Sequence, residues 1–179
     1  NVSHDNMIEN NHIHDLGKGW LSDMGGIYTL GVQPGTTLRG NVIHDVVMAG
    51  YGGWAIYPDE GSSHMLIENN IGYRTSGQAF HQHYGRENIV RNNIWAFGDE
   101  SGIRTSRIES HKSIMFFRNI VITDGKPIYH ADSGLPNFTA DLNLFWDISG
   151  EDVKMIMNHE EDEWLGTGND LNSLVGDPM

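Results

Sequence analysis

The chain of 179 residues contains no cysteine. That excludes a disulfide framework and any thiolate zinc site. Positive charge is scarce: 11 Lys and Arg stand against 24 Asp and Glu, a formal net charge of −13. Wrapping nucleic acid or holding an anionic membrane needs concentrated Lys and Arg, so neither partner is expected. No run of eighteen apolar residues is present, so no helix is expected to cross a membrane. Helical periodicity is missing too, because no stretch sustains apolar residues at spacings of 3, 4 and 7 between proper caps. The chain opens with neither Met nor a basic-then-apolar leader, and its tail, 171–179, starts a further repeat without a polar cap. Both ends are therefore expected to be interior to a longer parent, with a secreted or periplasmic location. What is present, 38 % hydrophobic residues over one domain's length, predicts a single domain over 1–179.

A repeat supplies the order. Ile8-Glu9-Asn10-Asn11, Leu38-Arg39-Gly40-Asn41, Ile67-Glu68-Asn69-Asn70, Val90-Arg91-Asn92-Asn93, Phe117-Arg118-Asn119 and Asp141-Leu142-Asn143 align, with Asn spacings of 30, 29, 23, 26 and 24. Loops of unequal length must leave a constant turn. An Asn amide has both donors and an acceptor, so copies stacked from winding to winding bond one another, and Asn tolerates the left-handed backbone of a sharp corner. Short alternating apolar words follow each Asn, such as Val42-Ile43-His44 and Ile120-Val121-Ile122, and read as strands. The fold predicted is all-β: a right-handed parallel β-helix of about six windings. An acidic stretch at about 150–168 reads as an irregular insertion, a loop or a short amphipathic helix.

A second register joins Gly26-Ile27-Tyr28, Ala55-Ile56-Tyr57, Ala79-Phe80-His81, Gly102-Ile103-Arg104 and Pro127-Ile128-Tyr129. Period-two alternation puts Ile27, Ile56, Phe80, Ile103 and Ile128 inward and Tyr28, Tyr57, His81, Arg104 and Tyr129 outward. Two residues on, Asp59 and His83 become neighbours on adjacent windings. With Asp23 just ahead of one strand, and with Glu60 and Tyr84, the outer face gathers carboxylates, imidazoles and phenols suited to a sugar ring. Glycosidic cleavage uses two carboxyl groups, one as acid and one as nucleophile or base. Asp23 and Asp59 are the expected pair and Glu60 the reserve.

Plainer roles stand beside these. Asp23 before Met24-Gly25-Gly26, and Asp59-Glu60-Gly61-Ser62-Ser63, both suit turns. His81 and His83 have the i, i+2 spacing of a metal pair but lack an evident third ligand. His4, His12, His14 and His44 recur near the Asn corner and suit a repeat-specific hydrogen bond. Trp20 and Trp54 suit either sugar stacking or packing.

Gly25-Gly26-Ile27-Tyr28-Thr29-Leu30-Gly31 with Gln33-Pro34-Gly35-Thr36, then Tyr51-Gly52-Gly53-Trp54-Ala55-Ile56-Tyr57-Pro58-Asp59-Glu60-Gly61-Ser62-Ser63 and Phe80-His81-Gln82-His83-Tyr84-Gly85, resemble bacterial β-helix glycoside hydrolases. The resemblance is to glycoside hydrolase family 141, which includes α-L-fucosidases and xylanases, and it runs from about Asn6 to Gly98. It implies that Asp23 and Asp59 hold the places of that family's catalytic aspartates. The expected substrate is a plant-type polysaccharide or oligosaccharide, bound by Tyr28, Trp54, Tyr57, His81, His83, Tyr84, Arg104 and Tyr129. No cofactor is expected, calcium being the one ion considered. The rival readings are a polysaccharide lyase or uronate epimerase, using His81, Tyr84 and Arg104, and a non-catalytic carbohydrate-binding solenoid.

Overall fold

The computed structural model describes residues 3–132, 135 and 137–178; residue 179 of the tail lies outside them. Each winding adds one strand to each of three parallel sheets. The first holds β1 (Met7–Glu9), β4 (Thr37–Arg39), β7 (Leu66–Glu68), β10 (Asn88–Arg91), β13 (Ile114–Phe117) and β16 (Thr139–Asp141). The second holds β2 (His12–Leu16), β5 (Val42–Val46), β8 (Ile71–Thr75), β11 (Ile94–Gly98), β14 (Ile120–Thr123), β17 (Leu144–Asp147) and β18 (Leu174–Val175). The third holds β3 (Met24–Thr29), β6 (Gly53–Pro58), β9 (Phe80–Gln82), β12 (Ile103–Thr105) and β15 (Tyr129–Ala131). The predicted solenoid of about six windings is the fold observed.

The asparagines form the expected ladder. In each of Asn11, Asn41, Asn70, Asn93 and Asn119, the backbone N–H and the side-chain Nδ2 both donate to the Oδ1 of the Asn one winding on, at 2.9–3.3 Å. From Asn41 onward, Nδ2 also donates to a carbonyl of the preceding winding, as from Asn70 to Leu38 at 2.9 Å. One expectation is corrected in detail. The left-handed corner belongs to the residue before the ladder: Asn10, Gly40, Asn69, Asn92, Arg118 and Leu142 all have φ between 54° and 66°. The ladder Asn uses its amide to hold the corner that its neighbour turns.

Inside, three columns meet. Ile8, Leu38, Ile67, Val90, Phe116 and Ala140 share one register, and Ile13, Ile43, Gly72, Trp95, Val121 and Phe145 another. A Cβ on Gly72 would lie 3.0 Å from the Trp95 ring, so the glycine makes room for the indole. In the third column Ile27, Ile56, Phe80, Ile103 and Tyr129 are in register. The small residue before each also faces inward, since a Cβ on Gly26 would strike Ile43 and one on Gly102 would strike Val121. A bulge produces this pair of successive inward residues: the amides of Ala55 and Ile56 both donate to the Ala79 carbonyl.

The acidic stretch is less irregular than expected. Ile156 bridges Tyr129, and the amides of Ile128 and Tyr129 donate to Lys154 and Met155, so 154–157 extend the third sheet by one rung. The short helix α1 (Glu161–Gly166) then buries Trp164 against Tyr129, ring centroids 4.5 Å apart. Asp170 ends the ladder, accepting from Asn143, Ser173, Tyr129 and Trp164.

Because Asn93 is the acceptor for two buried donors of Asn70, Asn93→Ala should cost about 2–4 kcal/mol, whereas Asn11→Ala at the exposed end should cost less than about 1 kcal/mol. Urea midpoints at unchanged m-value measure both. Leu142 is a β-carbon residue held at φ 58° on an exposed corner, so Leu142→Asn should raise stability by about 1 kcal/mol.

Candidate functional site

The outer face of the third sheet carries the predicted cluster, because register places Tyr28 beside Tyr57 and His81 beside Arg104. At one end the tyrosines cross to the carboxylates. The Tyr28 hydroxyl donates to Asp59 Oδ2, and the Tyr57 hydroxyl donates to Asp23 Oδ1 at 3.3 Å. The Tyr28 and Tyr57 rings meet edge to face, centroids 5.2 Å apart. Each carboxylate is thus held by the tyrosine of the other winding, Asp59 by Tyr28 and Asp23 by Tyr57, so both sit at the same end of the face. Local sequence explains both positions. Asp23 takes the left-handed conformation, φ 54°, that turns the chain into β3, and Asp59 opens a turn closed by the Ser62 amide, with Gly61 at φ 73°. The turn-forming and site-forming roles coincide.

The electrostatics follow from this crowding. The hydrogen bond to Asp59, then burial, then the charges of Asp59, Asp23 and Glu60 push the Tyr28 phenol far above its usual range. Burial first, then the same two aspartates, do so for Tyr57. Both phenols are therefore fixed donors. Glu60 is exposed beside them.

Several predicted sugar contacts are covered. Tyr57 is 3 % exposed and His81 fully buried, stacked ring on ring at 4.8 Å, with Trp54 wedged against both at 4.2 and 4.3 Å. Trp54 Nε1 donates to Gln78, whose amide donates on to Glu100. These three side chains form an outer aromatic layer beneath the surface, so contact with a sugar from Trp54, Tyr57 or His81 is corrected to support of the groups above. Tyr28, at 43 % exposure, remains open to solvent, and His83, Tyr84 and Arg104 are partly so.

Tyr129 is a larger correction. It pairs with Ile103, one residue out of the register expected, and is 1 % exposed in the core. Its hydroxyl donates to Asp170 at 2.9 Å; burial, then that carboxylate, drives the phenol well above its ordinary range. Ile128 fills the small-residue place ahead of it, and His130 takes the outward place beside Arg104. The signal was readable: Tyr129-His130-Ala131 matches Ile103-Arg104-Thr105 as apolar, large polar and small.

Two further groups complete the face. Ser106 Oγ lies 2.8 Å from both His81 Nε2 and His83 Nδ1, so that pair holds a serine where a metal was considered. Burial, then the nearby charge of Arg104, presses the His81 imidazole well below its usual range. Arg104 is held by both oxygens of Asp132 at 2.9 and 3.0 Å, and His130 reaches the same carboxylate at 3.3 Å. Burial works against the Arg104 charge, and its bonds to Asp132 outweigh this and keep it cationic. Arg107 lies over the Tyr84 ring at 4.3 Å. A concavity of about 510 Å³ under Val153, Met155 and Met157 includes none of these residues.

A neutral, buried His81 has a consequence for stability. The unfolded chain gains a proton on this imidazole below pH about 6.5 that the folded chain resists, so stability falls on acidification from there, at about 1.4 kcal/mol per pH unit for one group. Tyr57 and Tyr129, whose phenols are raised, give the opposite limb: their contribution is complete below pH about 10 and is lost as pH rises beyond it. Urea titrations across pH should show a plateau between these limits, and His81→Gln should flatten the acid limb between pH about 6.5 and 4.5.

A family model described as a right-handed β-helix region matches residues 1–145, and the chain belongs to that family. No curated protein and no solved structure matches it. The β-helix fold is common to polysaccharide-processing enzymes and to other proteins.

Proposed function

From that membership, we propose that the protein is a glycoside hydrolase acting on a plant-type polysaccharide or oligosaccharide, of fucoside or xylan kind, with Asp23 and Asp59 as its catalytic carboxylates. The observation that carries the proposal is the crossed pair itself: two aspartates on adjacent windings, each bonded by the tyrosine of the other winding, which gathers on one face the two carboxyl groups that glycosidic cleavage needs. Asp59 is 7 % exposed and pinned by Tyr28, a fixed position that suits the nucleophile or base. Asp23 is exposed at the rim, where it meets the glycosidic oxygen and delivers the proton to the leaving group. Tyr28, His83, Tyr84 and Arg104 line the sugar, with Glu60 beside the pair. The reaction drawn this way calls for no cofactor, and its substrate places the protein outside the cytoplasm.

Reducing-end release from xylan and aryl-fucoside hydrolysis test the proposal. Asp23→Asn and Asp59→Asn should each lower kcat by about 10²–10⁴-fold, the usual worth of a positioned acid or base. Equal rates in both variants and wild type would overturn the assignment. Growth of an ultraviolet-absorbing unsaturated product from a polyuronate would replace hydrolysis with elimination.

A further inference from the structure

The outer face of the second sheet holds a separate group of imidazoles. His12 and His14 are two residues apart on β2, and His14 pairs with His44 on β5. Their ring centroids lie 4.6, 5.0 and 5.2 Å apart, and His44 stacks on Tyr73 at 4.6 Å. The Nε2 atoms of His12 and His44 face each other at 2.8 Å.

The orientation of His44 is built. Its Nδ1 lies 2.6 Å from Asp45 Oδ2, and Asp45 is gripped by two bonds from Arg74 at 2.6 and 2.7 Å. With Nδ1 directed at the Arg74-held carboxylate, His44 turns its Nε2 toward His12. An imidazole oriented by a carboxylate through its other nitrogen is the usual arrangement around a bound metal. His14 is paired with Asp15 in the same way at 2.6 Å.

We propose that His12 and His44 form a two-imidazole site for a divalent transition-metal cation of the Cu²⁺ or Zn²⁺ class. Two facing Nε2 atoms at this distance share one proton, and a cation takes the place of that proton when His12 shifts its own to Nδ1. Metal–nitrogen bonds of about 2.0–2.1 Å put cis nitrogens about 2.9 Å apart at a right angle and about 3.3 Å apart in a tetrahedron. The observed 2.8 Å is close to the first, and the His12 ring is exposed, free of packing that would oppose the adjustment to the second. Among the described residues no group of three or more His, Asp or Glu is placed to hold an ion, so the site is a two-donor clamp with water in its other positions. Neutral nitrogen donors select borderline cations over calcium, which takes oxygen.

Titration of the intact chain with Cu²⁺, followed by calorimetry and electron paramagnetic resonance, tests this. One ion should bind with hyperfine coupling from two imidazole nitrogens. His12→Gln and His44→Gln should each weaken binding at least tenfold and leave a single coupling, and Asp45→Asn should weaken it about tenfold or more. His4→Gln removes another Asp-paired imidazole on a different corner and should change nothing. Zn²⁺ should raise the thermal midpoint of wild type and not of His12→Gln, whose exposed position leaves the metal-free fold intact. Wild-type affinity in both His12→Gln and His44→Gln, or a single imidazole coupling in wild type, would overturn the proposal.

Discussion

Every feature of this molecule depends on one winding lying in register on the next, and the buried asparagine ladder is the interaction that enforces it. Each rung satisfies a backbone amide and a side-chain amide with one oxygen. A slip by one residue would strand those donors in the core and turn the inward column outward. The cost of a slip is therefore high at the corner and small in the loops. This explains why repeat lengths vary between 23 and 30 residues while the corner does not. It also explains how Arg118 and Leu142 tolerate a left-handed backbone that side chains disfavour: the amide beside them fixes the turn.

Stacking in register turns sequence repeats into surfaces. On the first sheet, Glu9, Arg39, Glu68 and Arg91 alternate in sign along one column, with ion pairs at 2.5, 3.7 and 2.8 Å. On the second, imidazoles and Tyr73 stack beside corner aspartates. On the third, phenols, carboxylates and imidazoles converge. The three faces share a scaffold and differ only in what each column presents, so the chemistry of one face is separable from that of the others.

Much of the third face was legible because the words of β3, β6, β9 and β12 align on one inward residue each, Ile27, Ile56, Phe80 and Ile103: the neighbourhood of Tyr28, Tyr57 and Asp59 follows from that alignment. Two things were hidden. The extra residue between Ile103 and Tyr129 moved Tyr129 inward and His130 outward, a one-residue shift that apolar patterning tolerates because Ile128 and Tyr129 are both buried. The depth of Trp54, Tyr57 and His81 was hidden as well, since alternation distinguishes the two sides of a sheet and not whether the outer side carries a second packed layer.

The sequence by itself determined the solenoid, its winding length and the identity of the ladder, because these rest on local periodicity and on what an Asn amide can bond. Only the tertiary structure decided which outward residues are open and which are covered, and that His12, distant in sequence from His44, meets it nitrogen to nitrogen. Those outcomes depend on loop paths and rotamers chosen jointly by neighbouring windings, and no single repeat encodes them.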